Sequence, residues 1–158
     1  MTTAVYIGID PGLNGGIAVL SDMCEVVFLQ KMPPTPADLH EFLQEVVTLC
    51  KRDDVKLTAF LEDVGHGLPG QSSSATAKFA RHCGHLEMAL LALGIKTVTV
   101  TPAKWQKEFQ LGKSSGNKTE WKNKLKAKAQ QLYPALSKWI TLATADALLI
   151  AEYGRRQK

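Results

Sequence analysis

The chain has 158 residues, 45% of them hydrophobic, and a formal net charge of +4, a size and composition that suit one domain with a real core. No apolar stretch approaches the roughly 18–20 uncharged residues that cross a bilayer, and Met1-Thr2-Thr3-Ala4 lacks a basic leader region, so no membrane partner or signal peptide is expected and the location is read as cytoplasmic. Cys24, Cys50 and Cys83 are odd in number, far apart and free of C-x-x-C spacing, which argues against a disulfide framework or a zinc cage.

Residues 4–10, 15–21 and 25–31 read as three strands joined by short turns, an antiparallel meander. Met32-Pro33-Pro34-Thr35-Pro36 breaks the pattern, and Leu39, Phe42, Leu43, Val46, Val47 and Leu49 then recur at helical spacing across 37–51. A fourth strand over 56–62 feeds a Gly- and Ser-rich loop, 63–74, followed by a long helix over 75–93 that ends at Gly94. A fifth strand covers 95–100. Thr101-Pro102 is a cap and first-turn proline for a short helix over 102–109, and further helices are expected over 118–132 and 142–153. Three antiparallel strands followed by alternating helix and strand describe an α/β class with a mixed five-stranded sheet, antiparallel strands first and parallel strands after, flanked by helices.

Three acids stand where acids need a reason. Asp10 ends the apolar run Ile7-Gly8-Ile9 and enters a Pro-Gly turn, Glu62 ends Leu57-Thr58-Ala59-Phe60-Leu61, and Asp146 interrupts an otherwise apolar helix. Carboxylates on rigid supports are what hard divalent cations such as Mg²⁺ bind. Asp10 alone could simply cap a turn. Asp63, next to Glu62, points to the opposite face because strand side chains alternate. The positive charge is uneven. Between Lys104 and Lys128 lie eight lysines against Glu108 and Glu120, a local +6 that leaves −2 for the rest of the chain. A basic segment is the footprint of a phosphate-neutralising surface, or else a solvated helix face.

These residues resemble the RuvC-type Holliday junction resolvases of the ribonuclease H-like superfamily. The resemblance rests on Gly8-Ile9-Asp10-Pro11-Gly12-Leu13, Phe60-Leu61-Glu62 and Ala145-Asp146-Ala147-Leu148-Leu149-Ile150-Ala151, in that order along nearly the whole chain. Thr101-Pro102-Ala103-Lys104-Trp105-Gln106-Lys107 and Pro69-x-Gln71 are closer to the phage and chloroplast-type enzymes. The resemblance implies a single nuclease domain over 1–158. It implies a homodimeric crossover junction endodeoxyribonuclease that makes paired nicks in four-way or branched DNA, leaving 5′-phosphate and 3′-hydroxyl ends. Up to two Mg²⁺ ions per subunit are implied, with Mn²⁺ able to substitute, Asp10 bridging both and Glu62 and Asp146 each holding one side. Lys107 and Lys118 match basic positions near the scissile phosphate and are read as charge-stabilising. Recruitment by branch-migration machinery is not readable from the sequence.

One position departs from the family, which places a second acid or a histidine three or four residues before the last aspartate. Here those residues are Ala143 and Leu142, so Asp63, Glu152 or Thr144 compensates, or one metal is held by fewer protein ligands. DNA contacts are expected from Gln71, Ser72, Ser73 and Ser74 in the loop, from Lys78, and from Lys104, Lys113, Lys122, Lys124, Lys126 and Lys128. Leu68 or Pro69 could wedge against an unstacked base pair. Trp105 and Trp121 are read as packing residues, and the histidines, His82 and His85 among them, are assigned no metal. Leu86, Leu90, Leu91 and Leu93 exceed what one helix face needs, which suits either a dimer seam or a buried helix. Competing functions are a non-cleaving branched-DNA binder, a ribonuclease H-like nuclease acting on RNA or an RNA–DNA hybrid, and, more remotely, an actin-like phosphotransferase, whose chains are far longer.

Overall fold

A computed structural model describes residues 1–65 and 70–157. Its strands are β1 (Ala4–Asp10), β2 (Gly16–Ser21), β3 (Val26–Lys31), β4 (Lys56–Glu62) and β5 (Lys96–Val100). The helices are α1 (Pro36–Arg52), α2 (Ser73–Ala92), α3 (Pro102–Lys107), α4 (Lys118–Leu132) and α5 (Leu142–Arg156), with a 3₁₀ turn over Pro134–Trp139. The strands form one sheet in the order β3-β2-β1-β4-β5. β1 is antiparallel to β2 and β2 to β3, while β1 with β4 and β4 with β5 are parallel. This is the mixed sheet expected from the sequence. Two boundaries moved in a way that matters. Helix α2 starts at Ser73, so Ser73 and Ser74 are helical rather than loop residues, and α5 runs three residues further, to Arg156.

Alternation along the strands separates two cores. Ile7, Ile9, Ile17, Val19, Ala59 and Leu61 face α1 and α2, where they pack on Leu39, Leu43, Val46, Leu86 and Leu90. Ala18, Leu20, Phe60 and Val100 face the other way, against Trp105, Leu125 and the apolar length of α5. Leu86 and Leu90 therefore belong to the core, whereas Leu91 is 74% exposed.

Helix α5 lies almost on the backbone of β1 and β2, and two glycines allow it. A Cβ at Gly8 would fall on the Ala147 carbonyl oxygen and the Ala151 amide, and one at Gly16 would come within 2.5 Å of the Ala143 carbonyl oxygen. Ala143, Ala147 and Ala151 recur every four residues, so one small-residue stripe of α5 seats on the sheet. That seating brings the next acidic side chain on the helix, Asp146, to the sheet.

Candidate active site

Asp10 and Gly8 share the α5 side of β1, and Glu62 shares it with Phe60 on β4. The last registered pair between the strands is Ile9 with Leu61, so Asp10 and Glu62 end neighbouring parallel strands one step further on. Asp146 faces them from the second turn of α5. All three are buried, Asp10 and Glu62 at 9% exposure and Asp146 at 3%. The structure thus brings together the three acids singled out in the sequence.

The electrostatics show a site short of positive charge. Burial, then the charges of Asp146 and Glu62, push Asp10 up to about 8, with Lys122 pulling the other way. Glu62 is also raised, mainly by burial, although a hydrogen bond from the buried Trp105 indole favours its charged form. Trp105 Nε1 donates to Glu62 Oε2 at 2.6 Å. Asp146 Oδ2 accepts from the Lys122 ammonium, while Asp146 Oδ1 is buried without a hydrogen-bond partner among the described residues. Among the described residues no three His, Cys, Asp or Glu side chains are grouped closely enough to hold a metal ion as they stand. The chemistry of the donor set nonetheless fits a divalent cation, because two raised carboxyls and one orphaned carboxylate oxygen are what such an ion would satisfy.

Two residues make contacts at the site that the sequence reading did not assign to them. Trp105, read as packing, is fully buried and also orients Glu62. Its signal in the sequence is position: α3 follows β5 directly, and β5 pairs Val100 with Glu62. Lys122, read with the α4 lysines as a DNA contact, closes onto Asp146. Of the lysines near the site it is the one that acts on all three carboxylates, its own basicity raised by Asp146, Asp10 and Glu62 against the opposing effect of burial. Lys118 sits one turn before it on α4, and Lys107 ends α3; both are exposed. Lys104, Lys113 and Lys124 are exposed, the last lying 5.7 Å from the Trp121 ring centroid, and Lys126 and Lys128 are half-buried. Replacing Trp105 by Phe should cost about 1.5–3 kcal/mol of stability through the lost hydrogen bond to a charged acceptor. Thermal melts of the purified variant measure this, and a cost below about 0.5 kcal/mol would mean that the indole N–H does not hold Glu62.

None of the three residues considered as replacements at the Ala143 position is available. Thr144 Oγ1 accepts from the Thr141 amide at 3.0 Å and so closes the start of α5. Glu152 is bound by Arg155, Arg156 and Tyr133. Asp63 is exposed and accepts from the Gly65 amide. Among the described residues the charge set against Asp146 is that of Lys122.

A cleft of about 640 Å³ opens on Asp10. Its floor is the β1–β2 turn and one wall is Pro33, Pro34, Thr35, Pro36 and Leu39. The other wall is α2, with Lys78, Arg81, His82 and His85; Gln71, just before the cap of α2, and Lys122 line the cleft as well. Gln71 and Lys78, read from the sequence as DNA contacts, line the same cleft as Asp10. Ser72 is the cap of α2, its hydroxyl accepting from the Ala75 amide at 3.2 Å, and Thr76 reaches Gln71 Oε1 at 3.4 Å. Leu68 and Pro69, the proposed wedge, and the Pro69 half of the Pro69-x-Gln71 motif lie outside the described residues. Among the described residues no helix is long and apolar enough to cross a membrane.

No protein-family model matches the chain, and no curated protein matches its sequence significantly. Solved structures do. Thermus thermophilus RuvC in complex with Holliday junction substrate superposes with a TM-score of 0.59 at 16% identity, covering 97% of this chain and 96% of that one. A second Thermus thermophilus RuvC structure gives 0.54 at 17% identity, with the same coverage. The fold is that of RuvC, with the mixed five-stranded sheet expected from the sequence.

Proposed function

We propose that this chain is a RuvC-type endonuclease that resolves four-way DNA junctions by metal-dependent phosphodiester hydrolysis. The observation that carries this reading is the convergence of Asp10, Glu62 and Asp146, with Asp10 opening on a cleft whose other ionisable lining groups are basic or imidazole. The RuvC fold over nearly the full chain supports it, and so does the junction substrate named for one of the similar structures. In this reading Asp10, Glu62 and Asp146 hold Mg²⁺ or Mn²⁺, which supplies Lewis acidity at the phosphate and a water of lowered pKa.

The chain's own residues do the rest. Trp105 fixes the rotamer of Glu62 and favours its charged form. Lys122 neutralises Asp146, and a cation held by that carboxylate would free its ammonium for a substrate phosphate oxygen. Lys107 and Lys118 add charge stabilisation around the scissile phosphate, and the apolar seat of α5 excludes water behind the acids. A homodimer would place two such sites on one junction and so pair the nicks.

One observation favours a second reading, a branched-DNA binder with little cleavage: the Ala143 position holds no ligand and a lysine already occupies Asp146. Incubating a mobile four-way junction with the protein separates the two. Nicking with Mg²⁺, stronger nicking with Mn²⁺ and none with chelator is expected. Tight binding without product in either metal would establish the binder, and preferential cleavage of RNA or an RNA–DNA hybrid would move the chain to another ribonuclease H-like activity.

A further inference from the structure

We infer that the segment leading into α5 carries a base-stacking platform, Trp139 with Lys138 and Leu142, that takes an unstacked base of the branched DNA. This rests on the nuclease reading above and adds a contact at the start of α5, apart from the cleft along α2.

The platform is left open by the fold. Trp105 is fully buried and Trp121 is half-buried, but Trp139 is 64% exposed, and among the described residues it is the one aromatic side chain left exposed. Leu142, three residues further on, is 45% exposed. Exposed apolar side chains grouped in this way mark a surface that another molecule covers.

Charge says which molecule. From Trp121 to Ala145 the chain has lysines at 122, 124, 126, 128 and 138 and no Asp or Glu. Lys138 sets its ammonium 5.2 Å from the Trp139 ring centroid and makes no ion pair among the described residues. An apolar protein partner needs only the indole and the leucine, whereas an acid-free run of lysines selects a polyanion. A nucleotide uses both features, its base stacking on the ring and its phosphate meeting the ammonium.

Position ties the platform to the acids. Gly16 pairs with Asp10 across β1 and β2, and the Ala143 carbonyl closes on Gly16, so the first turn of α5 is pinned beside Asp10. Leu142 and Asp146 are one turn apart on one face of the helix, about 6 Å along its axis. Three more residues of chain put the Trp139 backbone within about 17 Å of that of Asp146. Bases inside a duplex stack on one another and are closed to an indole, while those at a branch point can be splayed out. The platform thus recognises the branch and not the linear arms.

The test is fluorescence anisotropy in chelator with three labelled DNAs of shared sequence, a four-way junction, a single strand and a linear duplex. Trp139→Ala should weaken binding of the junction and the single strand at least about fivefold and leave the duplex within about twofold. Trp139→Phe, which keeps an aromatic face, should recover most of the loss, and Trp139→Leu, apolar without that face, should not. In the wild type the single strand should protect tryptophan emission from acrylamide, and Trp139→Phe should abolish the protection. Lys138→Ala should lower the slope of log K against log salt by about 0.9. Circular dichroism confirms that each variant is folded. Equal losses on junction and duplex, or Trp139→Leu binding as well as Trp139→Phe, overturn the inference. So does a wild-type dimer that Trp139→Ala converts to monomer in sedimentation, which would make the patch an interface between copies. Junction nicking by the wild type with Mg²⁺, together with unchanged binding by Trp139→Ala, removes the platform and keeps the nuclease reading. Trp139-dependent junction binding with no nicking in Mg²⁺ or Mn²⁺ removes the nuclease reading and keeps the platform.

Discussion

Asp10→Asn is expected to reduce junction cleavage by about a thousandfold or more while leaving junction binding equal to or tighter than that of the wild type. The carboxylate would hold the metal and, once ionised, would repel the phosphate backbone, so its loss separates chemistry from affinity. The same substitution carries a stability signature that does not depend on activity. Asp10 is held at about 8 in the folded chain against an ordinary 3.8, so the folded state keeps a proton that the unfolded state gives up. An acid raised in this way stabilises fully below its unfolded value, and that contribution is lost as pH rises through the folded value. Without divalent ions the wild type should therefore melt progressively lower between about pH 4 and about pH 8, and Asp10→Asn should flatten the trend.

At about pH 8 the variant should melt on the order of 5 °C higher than the wild type, and Mg²⁺ or Mn²⁺ should raise the wild type and not the variant. Glu152 does not mimic this. Burial works against its charge, but hydrogen bonds from Arg155, Arg156 and Tyr133 hold it at about 2, so it titrates below the window. Near-normal cleavage by Asp10→Asn would remove the nuclease site from this position.

Gly8→Ala is expected to be severely damaging for a change of a single methyl group. Its Cβ would meet the Ala147 carbonyl oxygen and the Ala151 amide, which are backbone atoms of a helix that cannot rotate aside. Either α5 lifts off the sheet, taking Asp146 with it, or β1 bows and breaks its pairing with β2 and β4. A cost above about 4 kcal/mol is expected, enough to leave little folded protein. Gly84→Ala is the contrast. It lies within α2 with nothing within 4 Å of the added Cβ, so helix propensity alone acts and stability should rise by about 1 kcal/mol. Chemical denaturation of both variants decides the matter, and a mild cost for Gly8→Ala would mean that α5 is not seated as closely as described.

The sequence by itself determined the element order, the mixed sheet and the identity of the three buried acids. These are local quantities. Period-two alternation places Asp10 and Glu62 on definite strand faces, and an acid inside Ala145 to Ala151 has few physical reasons to be there. Tertiary structure alone decided which cation meets Asp146, because Lys122 is 24 residues away and looks, in sequence, like its neighbours Lys124 and Lys126. It also decided that Trp105 holds Glu62 across 43 residues, and that His82 and Arg81 line the cleft on Asp10. The physical reason is the same in each case. Helical spacing gives a residue its face, but what that face meets is set by how the helix seats on the sheet, and here the seat depends on two glycines, Gly8 and Gly16, whose missing side chains carry no periodic signal.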